Sequence, residues 1–385
     1  MKNIIVLGAG MVGSVMAIDL ANKHAVTLTD LDPDALAKAQ TKCGTLNTQI
    51  LDVTNDDLLK TTIQSFDLVV CAVPGFLGYK TLRTIITAGV NVVDISFFPE
   101  NSLTLHSLAK ENNVTAIVDC GVAPGMGNII LGHYNEIMQL TDFECLVGGL
   151  PKIKKWPFCY KAPFSPMDVI EEYTRPARYV ENGQLVIKEA LSDTELVDFE
   201  EVGTLESFNS DGLRTLIETM PHISNMKEKT LRYPGHVEYI KVLKESGFFD
   251  RDEIMIDGQA ISPLQFTSRI LFNEWQLGES EAEFTIMRIR MKGTTSTGQV
   301  EEITYHLYDE YCTETNSSSM ARTTGYTATA AVNLILESRF NEKGVFPPEL
   351  VGKHPECFEF VLDYLKDRNV IYRKTKTTTP LDEAV

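Results

Sequence analysis

Three glycines near the N-terminus constrain this chain more than any other feature. Gly8-x-Gly10-x-x-Gly13 follows the apolar run Asn3–Leu7 and opens the helical run Met11–Asn22. A continuous apolar strand is the pattern of a parallel sheet buried on both faces. Gly8 permits the tight turn, Gly10 lets the backbone approach a pyrophosphate, and Gly13 lets the helix pack against the strand. The helix N-terminus then offers free N–H groups and a positive dipole end. Asp30 ends the second strand, 22 residues after Gly8. A carboxylate there accepts the ribose hydroxyls of NAD and repels the 2′-phosphate of NADP. No Arg follows it directly. The loop therefore predicts NAD rather than NADP. A flavin would call for a second glycine-rich loop, and none is evident.

The first third of the chain alternates strand and helix. After Asn3–Leu7, strands are expected at Ala25–Thr29, Thr48–Val53, Asp67–Val73, Asn91–Ile95 and Thr115–Cys120. Helices are expected between them at Pro33–Lys42, Asp56–Gln64, Tyr79–Ala88 and Ser102–Glu111. Short connections between alternating elements mean a doubly wound parallel sheet. Ligands on such sheets sit outside the carboxyl ends of the strands. That places Asp52 and Val53 beside the adenine, and the Ala72-Val73-Pro74-Gly75 loop beside the nicotinamide ribose. Beyond it, Gly127–Met138 reads as a helix and Phe143–Val147 as a strand. The period-two run of Phe284, Ile286, Arg288 and Arg290 turns at Thr294–Gly298 and returns as Val300–Tyr311, an antiparallel hairpin. Ala328–Phe340 is an apolar helix able to pack back onto the first domain. The Lys- and Thr-rich tail after Arg373 is expected to be mobile.

The expected fold class is α/β, a Rossmann doubly wound parallel sheet plus a second α+β domain with an open antiparallel sheet. The expected division is residues 1–122 for dinucleotide binding, 123–320 for substrate and dimerisation, and 321–385 as a C-terminal helical segment returning to the first. Thirty-five basic against 53 acidic residues give a net charge of −18. That balance argues against nucleic acid as a partner. No apolar run reaches the length of a membrane span. Seven scattered cysteines without a Cys-x-x-Cys pair point to a reducing, cytoplasmic compartment. His133, His222 and His354 show no ligand spacing, so no metal is expected.

Four further motifs carry a resemblance. They are Asp119-Cys120-Gly121-Val122-Ala123-Pro124-Gly125-Met126, Gly148-Gly149-Leu150-Pro151, Thr230-Leu231-Arg232-Tyr233-Pro234-Gly235-His236 and Arg322-Thr323-Thr324-Gly325-Tyr326. With the opening glycine loop, they resemble the saccharopine dehydrogenase-like family over nearly the whole chain. The branch containing lysine 6-dehydrogenase is the most similar. The resemblance implies dehydrogenation at a C–N bond of a lysine-pathway amino acid, and a homodimer or higher homo-oligomer. It places cofactor contacts at Gly8, Ala9, Gly10, Met11, Val12, Gly13, Asp30, Asp52, Val53, Ala72 and Val73. Gly121, Val122, Ala123 and Asn128 complete that set. It places substrate contacts at Ser96, Phe97, Thr230 and Arg232. Saccharopine reductases of the family carry Asp-Pro-Gly where this chain has Ala123-Pro124-Gly125, which speaks against saccharopine itself.

The implied reaction is oxidation of the 6-amino group of L-lysine to 2-aminoadipate 6-semialdehyde, with ammonia released and the product cyclising. A saccharopine or carboxynorspermidine dehydrogenase is the alternative, and a non-catalytic NAD-binding protein is another. For any such chemistry the amine must be neutral before hydride leaves the adjacent carbon, so a base is needed. Asp94, at the end of a strand, and His236, four residues from Arg232, are the candidates. Arg232 is the natural bidentate anchor for a remote carboxylate. The pairs Glu171-Glu172 and Glu200-Glu201 read as solvated faces, as does Glu238.

Overall fold

The computed structural model describes residues 1–278 and 281–379. Six strands come from the first 117 residues: β1 (Asn3–Leu7), β2 (Ala25–Asp30), β3 (Asn47–Ile50), β4 (Leu68–Cys71), β5 (Asn91–Asp94) and β6 (Thr115–Ile117). They lie in the order β6-β5-β4-β1-β2-β3, and every pair is parallel. The order reverses between β4 and β1, so the crevice opens at their carboxyl ends. Helices on both faces explain why Ile4 to Leu7 and Leu68 to Cys71 are completely buried. One boundary shifts: the helix expected from Tyr79 begins at Gly75, directly after Pro74. A seventh strand, Gly344–Phe346, pairs parallel with β6 from far along the chain. It is three residues long, too short to leave a periodic pattern.

The second sheet has nine strands. Its centre is β7 (Met138–Pro151), which pairs antiparallel with Glu283–Thr295. That strand forms the expected hairpin with Val300–Glu310, turning through Gly298 at φ +80°. The sheet is mixed, however, rather than purely antiparallel. Asn225–Arg232 runs parallel to β7. The long excursion from Pro151 to Asn225 crosses over through the helix Pro166–Thr174 and further strands. A crossover of that length is what a parallel pair requires.

The tail also differs from expectation. Tyr372–Thr379 is a strand paired along Val300–Glu310. Its lysines blunt the sheet edge against further pairing. Residues 380–385 of that tail lie outside the described residues.

The apolar helix expected at 328–340 runs over Ser319–Leu336, opened by Ser318, whose Oγ accepts from the Ala321 N–H at 3.2 Å. It packs on α1 (Met11–Ala21), where a Cβ at Gly325 would come within 3.2 Å of Met16. Asp19 of α1 is buried and accepts from Thr329 Oγ1 at 2.6 Å, Tyr364 Oη at 2.7 Å and Arg368 Nε at 2.8 Å. One apolar cluster runs from Ile4 and Leu28 through Ala328 and Val332 to Ile289 and Ile303 of the second sheet. The C-terminal segment is therefore built into both sheets rather than being a helical return to the first alone. Among the described residues, no helix is long and apolar enough to cross a membrane.

Candidate active site

A cavity of about 400 Å³ lies between the carboxyl ends of the first sheet and the second sheet. One wall is the glycine loop. A Cβ at Gly8 would sit 2.5 Å from the Ala72 carbonyl, and one at Gly13 would overlap the Gly8 carbonyl. Gly10 has nothing within 4 Å of where its Cβ would be. So Gly8 and Gly13 serve the fold, while Gly10 leaves open space in front of the helix N-terminus. No side chain caps that terminus. Asp30 accepts from Ala9 N at 2.6 Å and Asp32 N at 3.0 Å, which holds its carboxylate at the loop. Open space, uncapped N–H groups and a carboxylate at the end of β2 fit a dinucleotide.

The cavity brings together Gly8, Gly10, Met11, Val12, Gly13, Asp30, Ala72, Val73, Ser96, Phe97, Gly121, Val122, Ala123, Thr230 and Arg232. It does not bring in the other expected residues. Ala9 points its N–H at Asp30 and is 5% exposed. Asp52 closes a turn by accepting from Thr54 N at 2.9 Å and Thr54 Oγ1 at 2.6 Å, and those bonds lower its pKa. Val53 packs into the apolar cluster under the first sheet. Asn128 is 1% exposed; its Oδ1 accepts from Gly125 N and its Nδ2 donates to Glu349 at 3.1 Å. It fastens a helix start rather than facing a ligand. Tyr79, which follows the nicotinamide loop, hydrogen-bonds Thr104 at 2.8 Å.

Both expected bases lie behind the cavity wall. Asp94 is fully buried under Ser96, accepting from Ser96 N at 2.7 Å, and burial pushes its carboxyl up to about 7. His236 sits among Phe158, Tyr160, Tyr173 and Trp275. Its Nδ1 lies 2.9 Å from the Phe158 carbonyl, so Nδ1 carries the proton. Nε2 must then accept, and Tyr173 Oη donates to it at 2.9 Å. The same Tyr173 oxygen accepts from Arg232 Nε at 3.1 Å. Burial, then the Arg232 charge, pull the imidazole down to about 3. His236 is neutral at physiological pH and positions Arg232 through Tyr173.

Arg232 lines the cavity but is 2% exposed. Its remaining bonds go from Nη1 to the Leu231 carbonyl at 3.0 Å, and from Nη2 to Tyr160 Oη at 3.3 Å and Glu172 at 2.7 Å. A guanidinium has about five N–H groups, so a single Nη1 donor is left for the cavity. The donors of the expected bidentate fork are spent on Tyr173, Tyr160, the Leu231 carbonyl and Glu172. Glu172 is thus not part of a solvated face.

Several cavity residues were not anticipated. Glu228 alternates with Thr230 and Arg232 along the strand Asn225–Arg232, while Leu231 packs into another apolar cluster. Asp168, Glu172 and Arg175 follow at helical spacing along and just past Pro166–Thr174. Period two and the i, i+4, i+7 face were the signals available in the sequence. Burial pushes Asp168 up to about 6 and Glu228 up to about 8. Asp168 Oδ1 stands 3.0 Å from where a Gly75 Cβ would be, so it abuts the loop after β4. Asp119 and Arg214 form a buried pair at 2.9 Å between the end of the first sheet and the second domain. Arg214 also donates to the Phe98 carbonyl at 2.6 Å and lies over the Phe97 ring.

Two family models match. Residues 4–117 match the saccharopine dehydrogenase NADP binding domain, and residues 121–371 match the saccharopine dehydrogenase C-terminal domain. The chain belongs to the saccharopine dehydrogenase family. It is an NAD(P)-dependent oxidoreductase, and its relatives include dehydrogenases acting on C–N substrates. Among curated relatives, carboxyaminopropylagmatine dehydrogenase of Synechocystis sp. is 23% identical, covering 92% of this chain and 94% of that protein. Saccharopine dehydrogenase [NADP(+), L-glutamate-forming] of Saccharomyces cerevisiae is 23% identical, covering 98% and 99%. Two solved structures share the fold. Apo saccharopine dehydrogenase (L-Glu forming) from S. cerevisiae has a TM-score of 0.80 at 19% identity, covering 98% of this chain and 100% of that one. The homospermidine synthase of Legionella pneumophila, solved with NAD, has a TM-score of 0.67 at 12% identity, covering 98% and 91%.

Proposed function

We propose that this family member oxidises, or reductively forms, a C–N bond between an amino-acid semialdehyde carbon and a cationic amine. The carrying observation is the acidic wall opposite the dinucleotide cradle. Asp168 and Glu228 line it with no ion-pair partner among the described residues. The arginines nearby are already matched, Arg232 by Glu172, Arg214 by Asp119 and Arg175 by Glu171. A substrate with excess positive charge balances such a wall. The name of the Synechocystis relative describes that kind of molecule, a carboxylated aminopropyl chain on agmatine.

The dinucleotide supplies or accepts the hydride when bound. The chain's own residues do the rest. Gly10 and the helix N-terminus receive the pyrophosphate, and Asp30 the adenine-side ribose. Asp168, beside Gly75, takes the proton that the amine must lose before hydride departs. In oxidation, the protonated secondary amine, NAD(P)⁺ and one water give an aldehyde, a primary ammonium, NAD(P)H and one proton. NAD is the favoured form because Asp30 is followed by Asp32 and Asp34, with no basic residue from Leu31 to Ala37.

The second reading, NAD-linked deamination of L-lysine, is favoured by Ala123 in the cavity wall where family reductases of saccharopine carry Asp. One assay separates them. Purified protein is given NADH or NADPH with aspartate semialdehyde and agmatine, and separately NAD with L-lysine alone. Loss of NADH absorbance in the first arm supports the condensation reading. Gain of absorbance with lysine alone overturns it in favour of deamination.

We also propose that the protein is cytoplasmic and homodimeric. Seven free cysteines support the first. Exposed Val242, Met255, Phe266 and Ile270 support pairing through the second domain. Light scattering giving a monomer mass would refute the dimer.

A further inference from the structure

We propose that Glu228 is a cation subsite, holding a second, non-reacting ammonium or guanidinium of the substrate. This rests on the C–N oxidoreductase reading above and deepens it by naming what the substrate carries away from the reacting bond. Glu228 lines the cavity and is only 5% exposed. Its carboxyl has no hydrogen bond or ion pair with any described residue. The other buried carboxylates around it are matched: Asp119 by Arg214 at 2.9 Å, Asp211 by Arg178 at 2.9 Å, and Glu172 by Arg232 at 2.7 Å. Holding that carboxyl charged without a partner is unfavourable where water is excluded. A ligand cation supplies the missing partner and lets it ionise.

Gly212 is the independent sign that this carboxyl is placed deliberately. A Cβ there would overlap the Glu228 carboxylate. Gly212 is not among the glycines with positive φ, so its backbone would accept any residue. What it provides is room for the Glu228 side chain. Glu228 also shares the period-two face of Thr230 and Arg232, which fixes it toward the cavity rather than toward Lys229 on the opposite face. The groups that face it are Asp211, Glu172 and Asp119, with Arg214 the compensating charge. Burial and those carboxylates push it up to about 8, so the empty site holds a proton that an arriving cation displaces.

The test compares amines that differ only in the tail: agmatine, 1,4-diaminobutane and 1-aminobutane, each with aspartate semialdehyde and NADH. The wild type is expected to favour agmatine or 1,4-diaminobutane over 1-aminobutane by about a hundredfold in kcat/KM, as loss of one charge-assisted contact implies. Glu228→Gln should collapse that ratio toward one. Gly212→Ala should do the same by pushing the carboxylate out of place, and serves as a second route if one variant folds poorly. A tail preference unchanged in both variants overturns the subsite. A wild type that turns over all three amines equally also overturns it while leaving the C–N reading intact. If no amine is turned over, the condensation reading fails, and calorimetry on the NAD-loaded enzyme decides the subsite. Agmatine binding lost in Glu228→Gln supports it, and equal binding in both proteins refutes it.

Discussion

Asp168 is the residue whose protonation should be visible in kinetics. As the base it must be ionised, so oxidation should rise as pH passes upward through about 6. Asp168→Asn should remove that limb and lower kcat by about 10²–10⁴-fold. A limb near 6 that survives in the variant would assign the proton to another group. Folding gives a control. Burial raises this carboxyl above its unfolded value, so its contribution favours the fold at low pH and is lost as pH rises through about 6. The Asn variant should therefore melt no lower than wild type at pH 8. At this scale the sequence showed Thr230 and Arg232 but not Glu228, although all three share a strand face. Two adjacent glutamates at 171 and 172 read as solvated because nothing local shows that a buried guanidinium waits opposite one of them. His236 was legible as belonging to the site but not as neutral. Its state follows from Phe158 and Tyr173, which are 78 and 63 residues away in the chain.

The strand β1, the glycine loop and α1 form the element most completely written in the sequence. Its glycines divide by function, and substitution should separate them. Gly10→Ala finds open space, so the melting temperature should hold while NAD affinity drops by about tenfold or more. Gly13→Ala forces a Cβ into the Gly8 carbonyl and should lower the melting temperature itself. Fluorescence titration with NADH beside thermal unfolding reads both effects. Equal melting temperatures for the two variants would contradict the division. The strand Gly344–Phe346 stands at the other extreme. With three residues, its identity is conferred by the free edge of β6 rather than by its own pattern. The tail strand Tyr372–Thr379 was hidden for a similar reason: its composition reads as solvated, and only the neighbouring strand supplies its hydrogen-bond partners.

At the scale of the whole molecule, Asp119 and Arg214 tie the carboxyl end of the first sheet to the second domain, both nearly out of solvent. Arg214→Met leaves Asp119 buried without its partner and should cost about 3–5 kcal/mol. Chemical denaturation would measure it, and a loss under about 1 kcal/mol, typical of exposed pairs, would contradict the buried geometry. The sequence alone determined the parallel sheet, the cofactor loop, the carboxylate at Asp30 and the later hairpin. Those rest on local rules: glycine sterics, period two, and the helix dipole. Only the tertiary structure decided which side chains meet in the cavity, why Asp94, Asn128 and His236 stay behind its walls, and why Glu228 faces it without an ion-pair partner among the described residues. Those outcomes depend on burial and on partners brought from distant segments, and no local pattern encodes how much water a carboxylate loses.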